Sequence, residues 1–191
     1  MELYSLTYVV LAAGRSARMG FDKVIQPLAG RSPLERVVAA LGTRNVILVV
    51  PTRLVHRAVR IAPNARIVVN DEPERGMSHS LRLALELIGQ DAHFGVVPAD
   101  LVGMTQTTLA RTEALLHDGI DVAYPLDGNG VAGHPVLFSP GMRRVVEELP
   151  DGDTLRMARD SNCKRATWIC PDTSAFLDID DPVAWKAFAD A

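Results

Sequence analysis

The sequence predicts an α/β protein of three layers, with helices on both faces of a mostly parallel central sheet. Short apolar runs recur along the chain, at intervals that leave room for a helix between them. The intervening stretches carry apolar residues at helical spacing, and no linker, internal repeat or low-complexity segment breaks the rhythm. Strands that read as unbroken apolar runs are what a parallel sheet covered on both faces requires, so the pattern implies βαβ units in a Rossmann-like arrangement. At 191 residues, 48% hydrophobic and 5% aromatic, the chain suits a single domain spanning residues 1–191 with a sizeable core.

The strands expected in order are TYVVLA over 7–12, NVILVV over 45–50, ARIVV over 65–69, HFGVV over 93–97, DVAY over 121–124 and PVLF over 135–138. Helical spacing predicts helices over 33–41, 54–61, 78–88 and 105–117. The first of these has a clear start: Ser32 can cap it, Pro33 suits its first position, and Glu35 completes a capping box. A last helix has the same grammar, with Asp181 as cap and Pro182 as first residue before VAWKAFA.

Composition narrows the function. The formal net charge of −3 argues against general polyanion binding, because a nucleic-acid binder needs a basic surplus to neutralise phosphates. Any phosphate site must therefore be local. Cys163 and Cys170 are too few for a disulfide framework, and no Cys/His cluster has zinc spacing. The opening MELYSLTYVVLAAG lacks a basic cluster, and nowhere do 18 apolar residues run together. These features lead us to expect a cytoplasmic protein without a membrane partner.

The stretch LAAGRSARMGFDK, Leu11 to Lys23, stands where the first strand ends. In open parallel sheets, ligands bind outside the carboxyl ends of the strands. Gly14 allows backbone N–H groups to approach an anion, and Arg15, Arg18 and Lys23 add charge. The letters match neither G-x-x-x-x-G-K-[ST] nor G-x-G-x-x-G. On these residues alone, a triphosphate loop and a basic surface turn are both open readings.

Five blocks in order decide between them. The first, L-A-A-G-x-S-x-R-M-G-x-x-K, resembles the signature loop of the MobA-like nucleotidyltransferases. NDEPERGMSHSL (Asn70 to Leu81), VVPADL (96–101), GHPVLF (Gly133 to Phe138) and DIDDP (Asp178 to Pro182) continue the resemblance. Within that superfamily the chain is most similar to the molybdenum cofactor cytidylyltransferases. The resemblance implies a fold of the nucleotide-diphospho-sugar transferase type. The implied reaction transfers CMP from CTP to the phosphate of molybdopterin, with release of pyrophosphate. It further implies a nucleotide site at Leu11, Ala12, Ala13, Gly14, Arg15, Lys23, Asn70, Gly76, Met77, Ser78 and Ser80. Arg18 and Lys23 would clamp phosphates, and Gly133, His134 and Pro135 would meet the acceptor. Asp100 and Asp180 would hold Mg²⁺, or Mn²⁺ in its place, while Asp178 ties down its loop. A molybdoenzyme receiving the product is the implied protein partner.

The chemistry fits such a set. Attack on an α-phosphorus builds charge on phosphoryl oxygens, so cations and a metal matter more than a nucleophilic side chain. No Ser-His-Asp or Cys-His arrangement stands out. Ala13 favours CTP, because the guanylyl branch of the family tends to have glycine there; Pro98-Ala99-Asp100 resembles that other branch. Residues 154–156 replace a family G-A-R after Gly152-Asp153, which leaves the acceptor open between molybdopterin and another phosphorylated small molecule. Ser78 is expected as a helix N-cap, His79 as a solvent-facing side chain, and His134 either bonds the acceptor or bonds backbone.

Overall fold

The computed structural model describes residues 5–14, 21–177 and 185–186. Seven strands form one sheet: β1 (Leu6–Leu11), β2 (Asn45–Val50), β3 (Arg66–Val69), β4 (His93–Pro98), β5 (Val122–Leu126), β6 (Val136–Phe138) and β7 (Arg165–Ile169). Their spatial order is β3-β2-β1-β4-β6-β5-β7, with β6 antiparallel to both neighbours and every other pairing parallel. Six α-helices accompany them: α1 (Pro33–Leu41), α2 (Val55–Ile61), α3 (Gly76–Leu85), α4 (Gln106–Glu113), α5 (Arg143–Glu147) and α6 (Leu155–Arg159).

The two-residue period of the strands divides the core. Tyr8, Val10 and Ala12 point to a cluster completed by Leu34, Val37 and Leu41 of α1, Ala58 of α2 and Leu109 of α4. Val9 and Ala13 point the other way, to Leu81, Ala84 and Leu85 of α3, Val146 of α5 and Leu155 and Ala158 of α6. The result is the expected three layers. Val9, Val10, Leu48 and Val49 are all fully buried, and each such side chain contributes about 1.5–3 kcal/mol.

Local signals account for most element ends. Ser32 Oγ accepts from the Glu35 N–H, the Glu35 carboxylate accepts from the Ser32 N–H, and Pro33 opens α1, so the capping box forms as read. Three differences stand out. β7, α5 and α6 are absent from the sequence reading, because both helices have five residues and β7 alternates charged, apolar and polar side chains as an edge strand does. The helix expected over 78–88 runs 76–85, and the one expected over 105–117 stops at Glu113. β5 runs two residues beyond the expected end, through Pro125 to Leu126. The helix expected from Asp181 and Pro182 falls outside the described residues, apart from a helical pair at Trp185 and Lys186. Among the described residues no helix is long and apolar enough to cross a membrane, and both cysteines are free thiols.

Candidate active site

Parallel register brings the carboxyl ends of four strands into one row. Leu11 of β1 stands opposite Pro98 of β4, and the ladder continues where the Ala99 N–H donates to Leu11 O at 3.1 Å and the Ala12 N–H to Val49 O at 2.8 Å. On the far side the Asn70 N–H donates to Val50 O at 2.9 Å. The segments leaving β1 and β4 therefore emerge beside one another, and the one leaving β3 emerges at the same edge with β2 between; these are three of the blocks singled out in the sequence.

Lys23 and Asp100 meet there. Lys23 opens a 3-10 turn over Lys23–Ile25 and is 7% exposed, and its Nζ lies 2.5 Å from Asp100 Oδ2. Asp100 follows β4 in a turn, while the next helix takes Thr105 as its cap, so the carboxylate is not spent on capping a helix. Removing a lysine from water costs several kcal/mol, and a carboxylate at this distance offsets that cost. Gly14, exposed at the end of β1, has nothing within 4 Å of where a Cβ would stand. Ala12 and Ala13 are buried, Ala13 among Val9 and Leu81 in the core on the α3 face of the sheet. Arg15, Arg18, Asp178 and Asp180 lie outside the described residues.

The block after β3 folds on itself. Asn70, 2% exposed, donates through Nδ2 to Ser80 Oγ at 2.8 Å and accepts from the Glu72 N–H at 2.8 Å, which joins the first position of the block to its next-to-last. Gly76 has φ 84° and ψ −177°, a combination open to glycine alone, and starts α3. Met77 is half-exposed beside it. Two expectations are corrected. Ser78 is not the N-cap: α3 begins two residues earlier, and Ser78 Oγ, fully buried, donates instead to Pro150 O at 3.0 Å. His79 does not face solvent; it is 7% exposed, with Nε2 3.6 Å from the Glu72 carboxylate.

The third group enters from β6. A cis peptide joins His134 to Pro135. His134 Nδ1 lies 3.3 Å from Val96 O of β4, which fits an Nδ1–H donor and leaves Nε2 as an acceptor. Burial holds this imidazole below the ordinary histidine range, the Val96 carbonyl and Asp100 opposing that shift and Arg159 adding to it. His134 is thus within electrostatic reach of both Asp100 and Arg159. Gly133 is closed in by Phe176, whose ring would overlap any Cβ there. Arg159 lies 5.2 Å over the Tyr124 ring and pairs with Asp160 at 2.7 Å. The sequence reading did not single out Arg159, since α6 is too short to show a period.

The donor set bears on metal binding. Among the described residues no three His, Cys, Asp or Glu side chains gather into a cage. A single carboxylate at the strand end suits a hard cation that keeps its waters and leans on substrate phosphates, the way Mg²⁺ is usually held.

Known proteins share this fold. Residues 8–166 match the model of the MobA-like NTP transferase domain. The chain belongs to the MobA-like NTP transferase family. Its relatives in this family of nucleotidyltransferases include the molybdenum cofactor cytidylyltransferase of Escherichia coli, 26% identical over 178 residues that cover 91% of this chain and 90% of that one. The bifunctional protein GlmU of Paraburkholderia phymatum is 36% identical over 156 residues, 75% of this chain and 33% of GlmU. The chain thus spans about a third of the length of that relative. Among solved structures, a homologue of Mycobacterium tuberculosis Rv0371c from Mycobacterium sp. strain JC1 superposes with a TM-score of 0.84 at 24% identity, covering 98% of this chain and 97% of that one. Rv0371c itself, in complex with manganese, gives 0.76 at 22% identity, covering 98% and 99%. These likenesses establish that the MobA-like fold extends over nearly the whole chain.

Proposed function

We propose that this MobA-like protein transfers a nucleotidyl group from a nucleoside triphosphate, with CTP preferred, to the phosphate of molybdopterin, releasing pyrophosphate. The observation that carries the reading is the Lys23–Asp100 pair, one cation and one carboxylate just beyond the carboxyl end of β4, where β4 runs beside β1. Lys23 binds the α-phosphate, and Arg18, with the backbone around Gly14 and Arg15, binds the phosphates beyond it. Asp100 and Asp180 hold Mg²⁺, or Mn²⁺ in its place; when bound, the ion supplies charge neutralisation on the phosphate oxygens. Asn70, Gly76, Met77, Ser78 and Ser80 shape the pocket for base and sugar.

Gly133, His134 and Pro135 line the acceptor side, where a neutral His134 offers Nε2 as an acceptor. A phosphate monoester is mostly dianionic near neutral pH, its second pKa being about 6, so the acceptor needs no general base. Lys23 then serves by holding the reacting phosphorus in line and meeting charge as it develops. Ala13 supports CTP, as does the resemblance to the cytidylyltransferase of Escherichia coli. We take residues 1–191 as one transferase domain, whose product passes to a molybdoenzyme.

The test is a titration of CTP, GTP, ATP and UTP with Mg²⁺, followed by thermal unfolding, since a ligand bound only to the native state raises the midpoint. Selective stabilisation by CTP, then pyrophosphate release on adding molybdopterin, is the expected result. Preference for GTP moves the assignment to guanylyl transfer, and no binding by any of the four overturns it.

A further inference from the structure

The loop that opens α3 is held by the turn over 149–152, which leads into the Gly152-Asp153 pair of the sequence. The Gly152 N–H donates to Arg75 O at 2.9 Å, Ser78 Oγ to Pro150 O at 3.0 Å, and Arg82 Nη1 to Leu149 O at 2.7 Å. A Cβ on Gly76 would come within 2.9 Å of Gly152 Cα, so the two backbones lie as close as glycine permits. Asp151 stands at the centre. One of its oxygens accepts from Arg75 Nε at 2.7 Å, and the other pairs with Arg82 Nη2. Those arginines flank Gly76, Met77, Ser78 and Ser80, and the carboxylate spans the first turn of α3 as a staple does. Arg75 provides that turn with no side-chain cap, so beside the bonds to Leu149, Pro150, Gly152 and Asn70 the Asp151 carboxylate is the charged group that ties its two ends together.

We propose that Asp151 is a positioning residue for the nucleotide, acting through Arg75 and Arg82 to set where the Gly76–Ser80 loop stands. This rests on the reading of that loop as part of the nucleotide pocket. The same turn runs on into α6, which ends at Arg159 near His134, so one short segment supports both substrate pockets. Asp151 and Arg75 are exposed, and exposed ion pairs add little to global stability. The effect of breaking this bridge therefore appears in nucleotide binding and hardly at all in unfolding.

The experiment measures dissociation constants of CTP and GTP, each with Mg²⁺, on the full chain by calorimetry, alongside thermal midpoints. Asp151→Asn is expected to weaken whichever nucleotide the wild type binds by about three- to tenfold, with the midpoint nearly unmoved. Asp151→Glu restores part of the affinity. Glu148→Gln, which breaks the exposed pair with Arg144 on α5, leaves affinity unchanged. Equal affinity in wild type and Asp151→Asn overturns the proposal while the nucleotide reading stands. A loss of affinity matched by a collapse of the midpoint overturns it as well, since that is a folding effect. A wild type that binds neither nucleotide overturns both the reading and the proposal.

Discussion

From β3 to β4 the sheet is parallel, its inner strands are shielded on both faces, and its loops carry the blocks that we assign to the nucleotide. Beyond β4, through β6 and β5 to β7, it changes direction twice, its helices have five residues, and its edge strand alternates between half-buried and exposed. The first region positions charge by strand register: Leu11 opposite Pro98 leaves little freedom in where Asp100 stands. The second positions its groups by side-chain contacts, such as His134 on Val96 O and Arg159 over Tyr124. A phosphate site common to a family can rest on register, whereas an acceptor site can be retuned by changing contacts.

The strongest way to break this division is at the Lys23–Asp100 pair. Lys23→Met and Asp100→Asn should each cut turnover by about a hundred- to a thousandfold. Each also leaves its former partner largely buried without that opposite charge, at a cost of about 3–5 kcal/mol. The double variant should regain stability without regaining activity, which urea midpoints and product formation together would reveal. Next comes the acceptor half: Arg159→Gln should raise the acceptor KM about tenfold through loss of a positive charge within reach of His134, leaving the nucleotide dissociation constant alone. A shift in both constants would erase the division between the two regions.

A smaller effect is expected at Asn70. Asn70→Ala removes the bonds to Ser80 Oγ and the Glu72 N–H and should cost about 1–2 kcal/mol in denaturant unfolding, with weaker nucleotide binding. The smallest effect is in pH dependence. Burial lowers the pKa of His134 and of His93, at the start of β4, below the ordinary 6.5, so the unfolded chain takes up these protons first. Their contribution to stability is present above about pH 6.5 and is lost as pH falls through that value towards their lowered folded pKa values. Thermal midpoints from about pH 8 to about pH 5 should fall less steeply in His93→Asn and His134→Asn than in the wild type.

How far the letters reached follows the same division. β1, β2 and β4 were legible because a strand buried on both faces has to be apolar throughout, and α1 because Ser32, Pro33 and Glu35 each have one physical reason to stand together. Lys23 and Asp100 were named from motif blocks 77 positions apart, and register puts them 2.5 Å from each other. Ser78 was misread as a cap because its hydroxyl is spent on Pro150, a partner no local rule could supply. His79 was misread for a related reason, since Glu72 comes within reach of it only once the loop has folded. Asp151, Arg159 and β7 left no period to read, and their importance lies in neighbours distant along the chain.

Gly76 and Gly152 look interchangeable as letters, both with positive φ near 85°. They differ in what they forgive. A Cβ at Gly152 would meet nothing within 4 Å, so an alanine there bears the cost of its dihedral, a conformation that asparagine tolerates better than most residues. At Gly76 the same change would run into the backbone of Gly152 and wedge the two segments apart. A saturation library should therefore show a narrow window of tolerance at one glycine and none at the other, although the two touch.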